Sequence, residues 1–124
     1  MGQAINYANL GSIFEQKGNL DSALVYYRKS MEMNTLGHSE LGIALCHMFY
    51  GSIHEKRKQY DKAHQEYDEA YQIMKASKDE WHTLDILIAL ARINHIMHND
   101  TLEMEFLTKA KEIAERIKST EHLA

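Results

Sequence analysis

The sequence has no proline, one cysteine and only six glycines in 124 residues. A β-sandwich or barrel needs many tight turns, and the residues that make them are missing here. A single cysteine cannot form an internal disulfide, which fits a reducing, cytoplasmic setting; Cys46 reads as a small buried apolar residue. No apolar run approaches the ~20 residues of a membrane span, and the start lacks the basic-then-apolar order of a secretory signal. In the opening MGQAIN, Asn6 stands where a myristoylation site wants Ser or Thr. Charges of both signs are interspersed around a formal net charge of −4, so no basic face gathers for nucleic acid. There is also no glycine-rich phosphate loop, nucleophile elbow, HExxH or clustered Cys/His motif. The reading is a non-enzymatic protein without cofactor or metal, and without nucleic acid or membrane as partner.

What the chain has is helix-forming residues: long stretches of Ala, Leu, Glu, Lys, Gln and Met. The fold class that follows is all-α. Residues 10–27, LGSIFEQKGNLDSALVYY, align without a gap on residues 50–67, YGSIHEKRKQYDKAHQEY. Gly11/Gly51, Ser12/Ser52, Ile13/Ile53, Glu15/Glu55, Asp21/Asp61, Ala23/Ala63 and Tyr27/Tyr67 are identical at an offset of 40 residues. A further step of 40 gives a degenerate third copy, with Ala91, Ile93, Ala110 and Ile113 retained, Glu103 in the alanine slot and Leu107 in the tyrosine slot. Apolar spacings of three and four predict helices near 3–17, 20–36, 39–57, 60–77, 80–98 and 100–119. They group as pairs over 3–37, 39–78 and 80–119 in a single domain, 1–124. Asn19 is a helix cap, Gly37 a terminator, and Ser77 with Glu80 a capping box. Mid-helix glycine is costly, so Gly11 and Gly51 imply close approach of a partner helix, opposite Ala23 and Ala63. A helix pair cannot bury its faces alone; the pairs must stack.

The pattern resembles the tetratricopeptide repeat, a helix–turn–helix of about 34 residues. The residues that carry the likeness are Tyr7, Leu10, Gly11, Phe14, Ala23, Tyr27 and Ser30 in the first pair. The second pair supplies His47, Tyr50, Gly51, His54, Ala63, Tyr67 and Ala70, and the third Leu87, Leu90, Ala91, Asn94, Leu107 and Ala110. The family's terminal proline is absent throughout. The longer period of 40 is similar to that of bacterial peptide-pheromone receptors of the Rap type and of scaffolds such as kinesin light chains. The resemblance implies three antiparallel helix pairs stacked as a right-handed superhelical solenoid that binds a protein or peptide.

In that family the first helix of each pair lines a concave groove. Carried onto this chain, the groove positions are Ile5, Ala8, Asn9, Ser12, Glu15 and Gln16, then Leu45, Met48, Phe49, Ser52, Glu55 and Lys56, then Asp85, Ile88, Ala89, Arg92 and His95. Glu15 and Glu55 are expected to make an acidic strip, with Arg92 and His95 a basic spot for a ligand's carboxylate. The lysines, asparagines and arginine with which chaperone-tail binders clamp a C-terminus are not in their slots, which hold Ala8, Ser12, Phe49, Asp85 and Ala89. The second reading is a structural unit that self-associates. Leu102, Phe106, Ile113 and Ile117 fall on one face of the last helix, and an uncovered stripe there would make a two-fold homodimer. Of the eight histidines, His47 and His54 sit at packing positions and His64, His82, His98 and His122 on or near the surface.

Overall fold

The computed structural model describes residues 2–123, with side chains described as far as Thr120. Its elements are α1 (Gly2–Gln16), α2 (Leu20–Leu36), α3 (Glu40–Lys56), α4 (Tyr60–Met74), α5 (Glu80–Ile96) and α6 (Asp100–Leu123). Among the described residues there is no strand. Short turns fold the helices into antiparallel pairs, α1–α2, α3–α4 and α5–α6. The pairs meet through α2 against α3 and α4 against α5, as in a helical solenoid.

Four of the five turns share one device. Gly18, His38, Lys58 and His98 adopt positive φ of 82°, 53°, 60° and 58°. The next amide reaches back across the helix end, Asn19 N–H to Phe14 O at 2.9 Å and Gln59 N–H to His54 O at 2.8 Å. This satisfies carbonyls that would otherwise be orphaned. The expected terminator Gly37 has φ −84°, and the left-handed residue is His38. The Ser77–Glu80 box is corrected too: Asp79 caps α5 by accepting from His82 N–H at 3.1 Å, while Ser77 Oγ donates to Met74 O. α4 stops at Met74, earlier than its periodicity suggests, and α6 runs on to Leu123 because its tail contains no breaker.

The mid-helix glycines have a different purpose from the one expected. A Cβ on Gly11 would lie 2.5 Å from Tyr27 Cε1, and one on Gly51 would meet the Tyr67 ring in the same way. The glycines make room for an aromatic ring rather than for a helix backbone. Tyr27 and Tyr67 are buried in these slots. The third pair changes both partners together: Ala91 has its Cβ, and the opposing residue is Leu107. The third copy is therefore a self-consistent variant of the same packing.

The larger core cluster joins α3 to α6 around Tyr67, Met74, Ile86, Leu87, Leu90 and Ile93, and a smaller one joins Ala23, Tyr27 and Ile53. Asn94, in the aromatic slot of α5, is fully buried. Its Nδ2 donates to Leu90 O at 2.8 Å and lies 3.1 Å from His64 Nδ1, while its Oδ1 finds no partner. His64, expected near the surface, is half-buried by this contact.

The expected uncovered stripe on the last helix is also corrected. Phe106, Ile113 and Ile117 are buried within their own core, and Leu102 packs against it. Phe106 lies edge-on to Tyr71 at 6.5 Å, and Arg116 Nε reaches Glu80 at 2.7 Å across the pair. The same slot in the first pair, Tyr26, stacks on Phe14 at 5.4 Å, so the position faces its own partner helix. A two-fold dimer through this stripe has no free surface to use.

Candidate peptide-binding groove

Glu15 and Glu55, on α1 and α3, define the polar part of the expected groove. Tyr27 OH donates to Glu15 Oε1 at 2.7 Å, and Tyr67 OH donates to Glu55 Oε1 at the same distance. Each carboxylate is then met by the next helix pair. Ser52 Oγ donates to Glu15 Oε2, which also pairs with Lys56 Nζ at 2.6 Å. Arg92 grips Glu55 with two bonds of 3.0 Å, from Nε and Nη2. Ser52 and Arg92 share one register slot, 40 residues apart, so the same position supplies a donor at both junctions.

Burial by itself raises both carboxyl pKa values. The bonds from Lys56, Ser52 and Tyr27 to Glu15, and from Arg92 and Tyr67 to Glu55, outweigh it and leave both below the ordinary carboxylate value. Burial and the Glu55 carboxylate push the Tyr67 phenol up. A folded-state pKa below the unfolded one means that each carboxylate contributes stability while ionised. That contribution is present above about pH 4.3 and disappears as pH falls through the lowered folded value. The melting temperature is expected to hold from pH 7 to about 5 and fall below the carboxylate range. The fall should be shallower in Glu15→Gln/Glu55→Gln, read by circular dichroism melts across pH.

The acidic strip and the basic spot are therefore not what a ligand meets. Both glutamates are neutralised within the fold, Arg92 is engaged by Glu55, and His95 Nδ1 lies 3.2 Å from Glu103. The apolar part of the face is open. Ile5, Leu41 and Leu45 line one recess of about 290 Å³, closed by Met33 and Asn34 of α2. A connected recess adds Ala8, Asn9, Cys46 and Phe49. Asn34 Nδ2 on its floor donates to Ser30 Oγ at 3.3 Å and to Cys46 Sγ at 3.6 Å. The Cys46 thiol is buried, and burial pushes its pKa up.

The recess belongs to the first junction because Gly42 leaves room for Asn34, and the equivalent pair 40 residues on is His82 and the buried Met74. Further along, Trp81 and Ile88 are exposed, in the slots of Leu41 and Met48. Among the other expected positions, Asn9, Gln16, Lys56 and Asp85 are exposed, and Ser12 lies 3.3 Å from Tyr27 OH. Met48 packs partly into the core, Phe49 stacks on Tyr27 at 4.6 Å, and Ala89 is buried. Leu41, Trp81, Met33 and Asn34 were not read from the sequence. Leu41 and Trp81 lie four residues before Leu45 and Asp85, one helical turn back on the same face, and that step would have found them.

Residues 4–35 match a family model described as tetratricopeptide repeat. The first helix pair is a tetratricopeptide repeat. The second pair repeats its glycine–tyrosine packing and its tyrosine–glutamate bond in the same register. The chain is also similar to the crystal structure of BtubC (BKLC) from P. vanneervenii, with 19% identity and a TM-score of 0.83. The match covers 93% of this chain and 48% of BtubC, so the chain spans about half of that protein's length. At this identity the likeness concerns the fold. No curated protein matches the chain. Tetratricopeptide repeats are generally protein-interaction modules rather than catalysts. Among the described residues no helix is long and apolar enough to cross a membrane, and no cluster of His, Cys, Asp or Glu could hold a metal.

Proposed function

We propose that the chain is a cytoplasmic, non-catalytic module that holds an extended, largely apolar peptide along the face of α1, α3 and α5. The observation that carries this reading is the run of accessible apolar side chains Ile5, Leu41, Leu45, Trp81 and Ile88 on the first helix of every pair. Exposed apolar surface grouped in a recess marks an interaction site more often than the same residues scattered singly. The paired glutamates support an uncharged ligand, since a ligand cation would have to displace Lys56 or Arg92. The Asn34 and Asn9 amides beside the recess suit hydrogen bonds to a peptide backbone.

A random-peptide selection on the full chain, followed by calorimetry of the enriched sequences, tests the proposal. Enriched peptides are expected to carry apolar residues, and Leu45→Glu should weaken binding at least tenfold while the melt is kept. Arg92→Ala should change affinity less than Leu45→Glu does. Enrichment of acidic peptides that depend on Arg92 would contradict the reading.

A further inference from the structure

The two ends of the molecule carry the two halves of its internal junctions. Ile13, Ile53 and Ile93 share one register slot. Ile53 and Ile93 are 0% exposed, covered by the second helix of the preceding pair, whereas Ile13 on α1 is 47% exposed. Leu10 is likewise exposed where its equivalent Leu90 is fully buried. At the other end, Leu107 is 43% exposed in the slot of the buried Tyr27 and Tyr67. Met104, at 65%, occupies the slot of Leu24 and His64, which face the next pair. Solenoid ends normally turn a polar face to solvent. Yet α1 has no charged residue before Glu15.

From this register we infer that the chain stacks head to tail on a second copy of itself, α6 of one copy covering α1 of the next. The contact repeats the geometry by which α2 covers α3 and α4 covers α5. The polar slots are compatible with it. Inside the chain, Glu15 and Glu55 require donors from the following pair. At a copy-to-copy junction the carboxylate slot holds His95, already in contact with Glu103, and the facing donor slots hold Ser12 and Gln16. No unpaired carboxylate is buried and no like charges meet. Because the two surfaces differ, the contact is heterologous, and repeating it produces open chains rather than a closed two-fold dimer. The groove lies on a different face, so this assembly is independent of peptide binding.

Sedimentation velocity of the full chain from low micromolar to near-millimolar concentration reads the assembly. The weight-average mass is expected to rise past a dimer, and Ile13→Glu and Met104→Glu should each abolish the rise. Both positions are exposed, so both variants should keep the wild-type melt. Mixing them should restore a dimer that does not grow, since one intact tail then meets one intact head. A two-fold contact cannot be rescued by mixing. A wild-type chain that stays monomeric throughout would overturn the proposal and leave these ends to other helices. Persistence of assembly in either variant, or a mixture that remains monomeric, would overturn it as well.

Discussion

Gly51→Leu is expected to destabilise the fold by about 3 kcal/mol or more, the upper range for overpacking a core site. The new side chain would have to occupy the space of the Tyr67 ring, whose Cδ1 lies only 2.6 Å from the added Cβ. Tyr67 is itself buried and tied by its hydroxyl to Glu55, so it has little freedom to move aside. Gly51→Ala should lose less, because alanine regains up to about 1 kcal/mol of helix preference. The decisive variant is Gly51→Ala/Tyr67→Leu, which copies the Ala91/Leu107 pair of the third repeat. Urea unfolding should show that the second substitution costs less in the Gly51→Ala background than in the wild type. Additive losses would mean that the glycine and the ring do not share space.

Glu55→Ala is expected to cost about 2–3 kcal/mol, the scale for removing a charged hydrogen-bonding partner. It strands the Tyr67 hydroxyl in the interior and leaves Arg92 without its bidentate acceptor. Arg92→Ala should cost less, since the guanidinium is half exposed and solvent screens the pair. A double-mutant cycle on Glu55 and Arg92 by chemical denaturation measures their coupling, expected at about 1 kcal/mol or more. A coupling near zero would make the cross-repeat bond incidental.

The helix pairs were legible in the sequence because the 40-residue register records packing that every repeat must solve. The glycine–tyrosine slots show this well: identity at Gly11/Gly51 and Tyr27/Tyr67 marked a contact, even though its cause was a ring rather than a backbone. The candidate site was less legible. Side-chain type placed Glu15, Glu55 and Arg92 on one face, but it could not show that they satisfy one another, because those partners lie 36 to 41 residues apart and meet only through stacking. Phe106 failed for a related reason. Its slot was compared with Ser22-like surface positions by polarity, whereas Tyr26 in that same slot already packs inward on Phe14. Ends of helices were set by local backbone bonding at His38 and Asp79, which composition scarcely records.

Backbone amide NMR of the labelled chain, titrated with a peptide recovered by selection, tests the groove most directly. The account predicts shift changes concentrated on α1, α3 and the first half of α5, strongest around Ile5, Leu41, Leu45 and Trp81, with α2, α4 and α6 little changed beyond Met33 and Asn34. Changes confined to the outer faces of α4 and α6, with Leu45 and Trp81 unmoved, would contradict it.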